Sequence, residues 1–263
     1  MKLTNLESKI IRKAGKLIHD FELISEGDNI MVAVSGGKDS LALLHILEIL
    51  RRKAPVRFTI TAVHLYQGQP GFELEGVKEN IKKIGFEPLI IDKPTYPIVK
   101  NMVREGQTSC FICSRMRRGI IYNFAHENGF NKIALGHHRE DMLETFLMNL
   151  FRTGQIKTLP PYLRSDDGRN VVIRPLLLTA EAELAALCAE LGLLPVPCGT
   201  CSKQPDLERK KMKELLMSLE VENPYIRDVM TGALKHIKPR YLLDRRLIFA
   251  LSLNLDESGE EDF

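Results

Sequence analysis

The stretch Ser35-Gly36-Gly37-Lys38-Asp39-Ser40 follows directly on the apolar run Ile30-Met31-Val32-Ala33-Val34. Apolar run, tight small-residue loop and a helix beginning near Asp39 make a strand–loop–helix corner, and such a corner suits a phosphate. The two glycines let backbone N–H groups approach an anion with no β-carbon in the way. The helix that follows aims its unpaired N–H groups and its dipole at the same spot. Lys38 adds a full positive charge, and Ser35 and Ser40 add hydroxyl donors. The spacing is not that of a Walker A loop, in which the first glycine stands further from Gly-Lys-[Ser/Thr].

A second set of chemically capable residues is Cys110-Phe111-Ile112-Cys113 and Cys198-Gly199-Thr200-Cys201, two Cys-x-x-Cys pairs with 84 residues between them. A compact zinc ribbon separates its pairs by roughly 15–20 residues, so a shared metal requires the fold to bring these two together. The thiolates suit structural zinc, an iron–sulfur cluster or a redox dithiol, and spacing alone ranks zinc first. Cys188 lies in an Ala/Leu-rich helical stretch and reads as core packing.

The elements that must position these residues alternate. Strand Ile30–Val34 leads to helix Ser40–Arg52. Strand Phe58–Leu65 leads to a helix over Glu73–Ile84, strand Pro88–Ile91 follows, and strand Lys132–Leu135 precedes helix Arg139–Phe151. Such βαβα alternation specifies an α/β fold with a doubly wound, mainly parallel sheet. Ligands in these sheets sit beyond the carboxyl ends of the strands. The loop at 35–40, His64 after the second strand, and Gly136-His137-His138 after the fourth are all expected at that edge. Val171-Val172-Ile173 adds a strand, and from Thr179 the pattern is mainly helical, over Ala180–Leu191, Leu207–Leu219 and Tyr225–Leu234.

Four segments follow from this pattern. A basic amphipathic helix occupies 1–25, the α/β domain with the first cysteine pair 26–178, and a mainly helical part with the second pair 179–255. An acidic tail, read as disordered, occupies 256–263. The tail carries five acids and no base; without it 37 basic and 29 acidic residues give the body a charge of +8. That suits a polyanionic partner, although basic surfaces are also common on soluble proteins. No apolar run approaches the roughly 20 residues of a membrane helix, and no signal-peptide pattern opens the chain. The expected location is the cytoplasm, with no membrane partner.

The loop at 35–40 resembles the PP-loop of ATP pyrophosphatases, which cut ATP between the α- and β-phosphates. Further blocks extend the likeness: Gln69-Pro70-Gly71-Phe72; Cys110-x-x-Cys113-Ser114-Arg115-Met116-Arg117-Arg118-Gly119; Leu135-Gly136-His137-His138-Arg139-Glu140-Asp141; Ser165-Asp166-Asp167-Gly168; Ile173-Arg174-Pro175-Leu176; and Pro197-Cys198-x-x-Cys201 with Gln204-Pro205. Together, over residues 20–210, they resemble the tRNA 2-thiocytidine synthetase family, TtcA. The chain departs from that pattern at Tyr66, where relatives carry Asp, and at Ser202-Lys203.

The resemblance implies ATP-dependent thiolation of C2 of cytidine 32 in tRNA through an adenylated base. ATP would be held by Ser35, Gly36, Gly37, Lys38, Asp39, Ser40, His64, Gly136 and His137. Lys38, Asp39 and Asp141 are the catalytic candidates, the two acids toward Mg²⁺ or its waters, with helix N-capping as their alternative role. It also implies a [4Fe–4S] cluster on Cys110, Cys113 and Cys201, with Cys198 as a neighbour or alternate ligand. Arg115, Arg117 and Arg118 would meet RNA phosphate, or form a solvated helix face. The implied partners are tRNA, a sulfur donor such as a cysteine desulfurase, and a second copy of the chain. Two other readings stay open at this level: another PP-loop tRNA-modifying enzyme, such as one making 2-thiouridine, and a non-catalytic zinc-stabilised nucleotide- or RNA-binding protein.

Overall fold

The apolar run at 30–34 becomes a central strand with a neighbour on each side. The computed structural model describes residues 3–102, 109–197 and 207–251, apart from the side chains of 101, 109–111 and 207. In it β1 (Asn29–Ala33) pairs in parallel with β2 (Thr59–Tyr66) and with β4 (Lys132–Ala134). Outward from these lie β3 (Leu89–Asp92) beside β2 and β6 (Val171–Ile173) beside β4, both parallel. The short β5 (Tyr162–Arg164) runs antiparallel to β6, so the six-stranded order is β3-β2-β1-β4-β6-β5.

Side chains alternate between the two faces of the sheet, as the period of a strand demands. Ile30, Val32, Ala62, Ala134 and Ile173 join the larger core, and Met31, Val63, Ile133 and Val172 the smaller. The larger core is closed by α1 (Asn5–Asp20), α2 (Lys38–Lys53), α3 (Leu74–Ile84), α6 (Arg139–Met148), α7 (Glu181–Glu190) and α8 (Leu207–Glu222). Leu41, Ala42, Leu43, Leu44, Ile46 and Leu47 of α2 are all fully buried. A helix apolar all round is one packed on every side, and α2 lies against α1, α3, α7 and the strands. The smaller core is closed by α5 (Ser109–Glu127), through Ile121 and Ala125. The helix α4 (Tyr96–Met102) packs on α5, and α9 (Ile226–Ala233) packs on α6 and α8. The last described helix is α10 (Arg245–Ala250).

The doubly wound, mainly parallel sheet expected from the alternation is therefore the fold. Four local differences stand out. Cys110 and Cys113 stand on the backbone of α5, a helix that the alternation does not include. His64 lies inside β2, before the strand ends at Tyr66. α6 stops at Met148 and gives way to a π turn at Asn149–Thr153, ended by Gly154 at φ 63°. α4, α10 and β5 are too short for a hydrophobic period to announce them. Among the described residues no helix is long and apolar enough to cross a membrane. The tail at 256–263 lies outside them.

Two glycines differ sharply in what surrounds them. A β-carbon on Gly136 would stand 2.8 Å from the carbonyl oxygen of Asp39 and 2.9 Å from Ser40 N, both backbone atoms that cannot swing away. Gly119, inside α5, has nothing within 4 Å of such a carbon. Gly119→Ala is therefore expected to stabilise the protein by about 0.5–1 kcal/mol through helix propensity. Gly136→Ala is expected to destabilise it by about 1–3 kcal/mol through overpacking. Urea unfolding of the two variants beside the parent checks both signs.

Candidate active site

Two hydroxyls brace the loop between β1 and α2. Ser40 Oγ accepts the Ser35 N–H at 3.1 Å and donates to the Gly37 carbonyl at 2.9 Å. Its proton being committed, it accepts from the Ser35 hydroxyl at 3.2 Å, and Ser35 Oγ accepts the Gly37 N–H at 3.4 Å. Ser40 is buried and Ser35 exposed, so the first is the brace and the second presents its oxygen to the cavity. Gly36 sits at φ +91°, and a β-carbon there would come within 2.8 Å of Val77 Cγ2. Gly37 stands at the N-cap of α2 in extended conformation, and no side chain caps the helix. That leaves first-turn N–H groups of α2 for an anion.

The loop opens on a cavity of about 370 Å³ at the carboxyl ends of β1, β2 and β4. Ser35, Gly37, Asp39 and Ser40 line it from the loop, and Gly136 and His137 from the β4–α6 turn. His64, Phe72, Val196 and Pro197 line it as well. α5 adds Cys113, Arg117 and Ile121, spaced four residues apart and so on one stripe of that helix. Of the expected ATP residues, Gly36 and Lys38 are not in this wall.

Lys38 is instead turned into an ion-pair chain. Its Nζ lies 3.3 Å from Asp39 Oδ2 and 3.0 Å from Glu181 Oε1, and Glu181 also takes Lys213 at 2.9 Å. Burial pulls the Lys38 pKa down, but Asp39 and Glu181 outweigh it and the net shift is upward. Asp39 has the opposite balance. Burial raises its carboxyl above the usual range despite His138 and Lys38 nearby. Its Oδ1 is buried with no hydrogen-bond partner. An orphaned carboxylate oxygen beside a phosphate loop is a fitting ligand for a hard cation or its water.

The neighbouring histidines divide their work. His138 caps α6 and stays out of the cavity wall. Its ring faces Glu140 Oε2 at 3.3 Å, Asp141 Oδ2 at 3.4 Å and Asp39 Oδ1 at 3.9 Å. Burial opposes the charge on that ring, yet Glu140 and the two aspartates raise its pKa. His137 is in the wall, with Nδ1 buried and unpartnered. Burial lowers its pKa to about 4, helped by Arg174, Arg209 and Arg117 against the pull of Asp141. Asp141 itself accepts the His138 N–H at 3.1 Å and Arg209 Nη1 at 2.7 Å. Its carboxylate thus serves the start of α6 and a link to α8.

Cys113 is half-buried in the wall, with the Gln67 side-chain amide 3.8 Å from its sulfur. Cys110 lies in the first turn of α5 by its backbone. Cys198 and Cys201 lie outside the described residues, which break off at Pro197 in the cavity wall. Arg115, Arg117 and Arg118 are all exposed, and of the three only Arg117 reaches the cavity. Cys188 is buried, its thiol 3.2 Å from the Lys38 carbonyl oxygen, and burial pushes its pKa up to about 11, as suits core packing. Gln67, Val196 and the Glu181 partner of Lys38 had no signal in the sequence. Phe72 was marked only by the Gln-Pro-Gly-Phe block.

A family model described as a PP-loop domain matches residues 6–194. The chain is 47% identical to a tRNA-cytidine(32) 2-sulfurtransferase of Anaeromyxobacter sp. (strain Fw109-5), over 99% of this chain and 87% of that protein. It is 45% identical to one from Stutzerimonas stutzeri (strain A1501), over 98% of this chain and 94% of the other. Among solved structures it shares its fold with the U34-tRNA thiolase NcsA from Methanococcus maripaludis with its [4Fe-4S] cluster. The TM-score is 0.68 at 20% identity, covering 89% of this chain and 80% of that one.

The His137 environment gives a signed pH dependence. The pKa falls from 6.5 to about 4 on folding, so between those values the unfolded chain binds a proton that the folded one refuses. The stability this leaves in place above pH 6.5 drains away as pH falls toward about 4. His137→Asn is expected to lose less stability than the parent over that window, by roughly 1–3 kcal/mol. Urea unfolding at stepped pH measures it, and parallel pH profiles would refute it.

Proposed function

The chain belongs to the tRNA-cytidine(32) 2-sulfurtransferase family of PP-loop proteins, and from that premise we propose that its cavity is where O2 of cytidine 32 in tRNA is replaced by sulfur at the expense of ATP. The observation that carries this reading is the meeting of two walls. The phosphate loop forms one side of the cavity, and Cys113 and Arg117 of α5 form another.

A carbonyl oxygen is a poor leaving group. In the first step O2 of the base bonds to the α-phosphorus of ATP, the bond to the β-phosphate oxygen breaks, and pyrophosphate leaves. In the second, sulfur bonds to C2, the C2–O2 bond breaks and AMP departs. The α2 N-terminus and loop N–H groups bind the phosphates and stabilise the charge that develops there. Lys38, paired with Asp39 and Glu181, contributes positive charge next to the loop. Asp39, through its orphaned Oδ1, would hold Mg²⁺ or its water, while Asp141 takes the alternative role, its two oxygens holding the start of α6 and Arg209. His137 stays neutral beside the reacting phosphate, and Arg117 supplies charge toward RNA or adenylate phosphate.

The donor chemistry in the wall fits an iron–sulfur cluster. Cys113 offers a thiol to the cavity, Cys110 lies three residues earlier on α5, and the described chain reaches this wall at Pro197, next in sequence to the second pair. Cys110, Cys113 and Cys201 would hold it, with Cys198 as alternate ligand. A [4Fe–4S] cluster bound by three thiolates supplies an open iron at which sulfur can be carried. In this reading residues 26–178 hold the nucleotide and the first pair, and 179–255 bring the second. A cysteine desulfurase supplies the sulfur, the protein works in the cytoplasm as a homodimer, and Arg115 and Arg118 extend the RNA-facing side of α5.

Nucleoside mass spectrometry of tRNA incubated with the anaerobic protein tests the reaction. 2-Thiocytidine at position 32 should require ATP and release AMP and pyrophosphate, and ADP as product would overturn the assignment. Lys38→Ala should abolish turnover. The anaerobic protein should hold about four irons with labile sulfide. Cys113→Ser should lose the cluster and thiolation while keeping ATP binding. One tight zinc with full thiolation would show that sulfur arrives by another route.

The RNA part of the reading has its own measurement. Affinity for tRNA should fall linearly with salt on logarithmic axes. Each of Arg117→Glu and Arg118→Glu should weaken binding and flatten that slope by about one. Salt-independent binding would remove the phosphate role of α5.

A further inference from the structure

His64 is a polar side chain in the cavity wall whose proton position is fixed by a neighbour. Its Nδ1 lies 2.8 Å from the carbonyl oxygen of Val34. A carbonyl can only accept, so Nδ1 carries the proton. Burial lowers the pKa of the ring, against the Val34 bond that would raise it, and the ring is neutral. Nε2 is then a bare lone pair. It is buried without a hydrogen-bond partner, in a residue 2% exposed that lines the cavity. The imidazole stacks on Phe72, with centroids 5.4 Å apart and planes 8° from parallel, so it cannot turn freely to find another partner.

The surroundings say what kind of donor belongs there. Phe72, stacked on His64, makes this part of the wall apolar, while the phosphate loop lies on the same cavity. A flat heterocycle joined to phosphates matches that division, provided it offers one N–H toward His64. A buried acceptor left empty is unfavourable, and a ligand that presents a second acceptor to it is worse. We propose that His64 Nε2 accepts a hydrogen bond from the exocyclic 6-amino group of adenine, which makes His64 the residue that selects ATP over 6-oxopurine nucleotides. The assignment rests on the reading of this cavity as the ATP site and names the contact that sets its base specificity.

Calorimetric titration of the full chain with ATP, ITP and purine riboside triphosphate tests it without any substitution. ATP should bind at least about tenfold tighter than ITP, with the nucleotide lacking a 6-substituent between them. In His64→Gln the side-chain amide can turn its NH₂ toward a 6-oxo group, and the ATP-to-ITP ratio should fall toward one. Equal affinity of the unaltered protein for ATP and ITP would overturn the assignment and leave the nucleotide site standing. A ratio unchanged in His64→Gln would overturn it as well. Failure of ATP itself to bind would remove the nucleotide site, and this contact with it.

Discussion

The first turn of α2 lies so close to the backbone of Gly136 that no β-carbon fits between them. The arrangement of the site depends on that contact. It fixes the loop after β1 against the turn after β4, strands that are direct neighbours in the sheet. The first-turn N–H groups of α2 and the His137 ring are thereby presented to one cavity from two separate crossovers. The hydroxyl brace of Ser40 keeps the loop itself in shape, and Gly36 accepts the left-handed conformation the bend requires.

The amino ends of β1 and β4 contrast with the carboxyl edge, although at the amino end of β6 the Asn170 side-chain amide is buried and unpartnered. At the amino ends of β1 and β4, polar groups are paired off. Asp28 takes Lys132 at 2.6 Å, Asn131 at 2.7 Å and the Ser25 N–H at 2.6 Å. At the carboxyl ends, Asp39 Oδ1, His64 Nε2 and His137 Nδ1 are all buried with nothing to bond. Buried polar groups are ordinarily satisfied, and each exception calls for an explanation. These three share one cavity.

What the sequence disclosed follows from how local each feature is. The phosphate loop is contiguous, its flanks have strand and helix periods, and all of it is legible residue by residue. The sheet order is legible to the extent that βα alternation implies parallel pairing. The position of Lys38 was not, because its side chain answers to Glu181, far along the chain. Gly-His-His names two histidines without saying which one caps a helix and which faces the cavity; that depends on where α6 begins. The helical setting of the first cysteine pair was hidden for a similar reason, since among the described side chains of α5 only Ile121 and Ala125, in its later turns, are buried. Gln67 and Val196 belong to the site only through tertiary packing.

The unequal faces of the sheet carry a consequence for motion. Among the described residues the α2 side buries 32 apolar residues in one continuous cluster, whereas the α5 side buries eight. Parting a helix from its sheet costs free energy in step with the apolar surface it uncovers. Amide protons of α5 therefore exchange with solvent through shallower openings than those of α2, and the protein has a hierarchy of partial unfolding built into its two layers. The nucleotide loop is rooted in the stiff layer and Cys113 in the pliant one. Strain on the sheet therefore opens the second layer before the first.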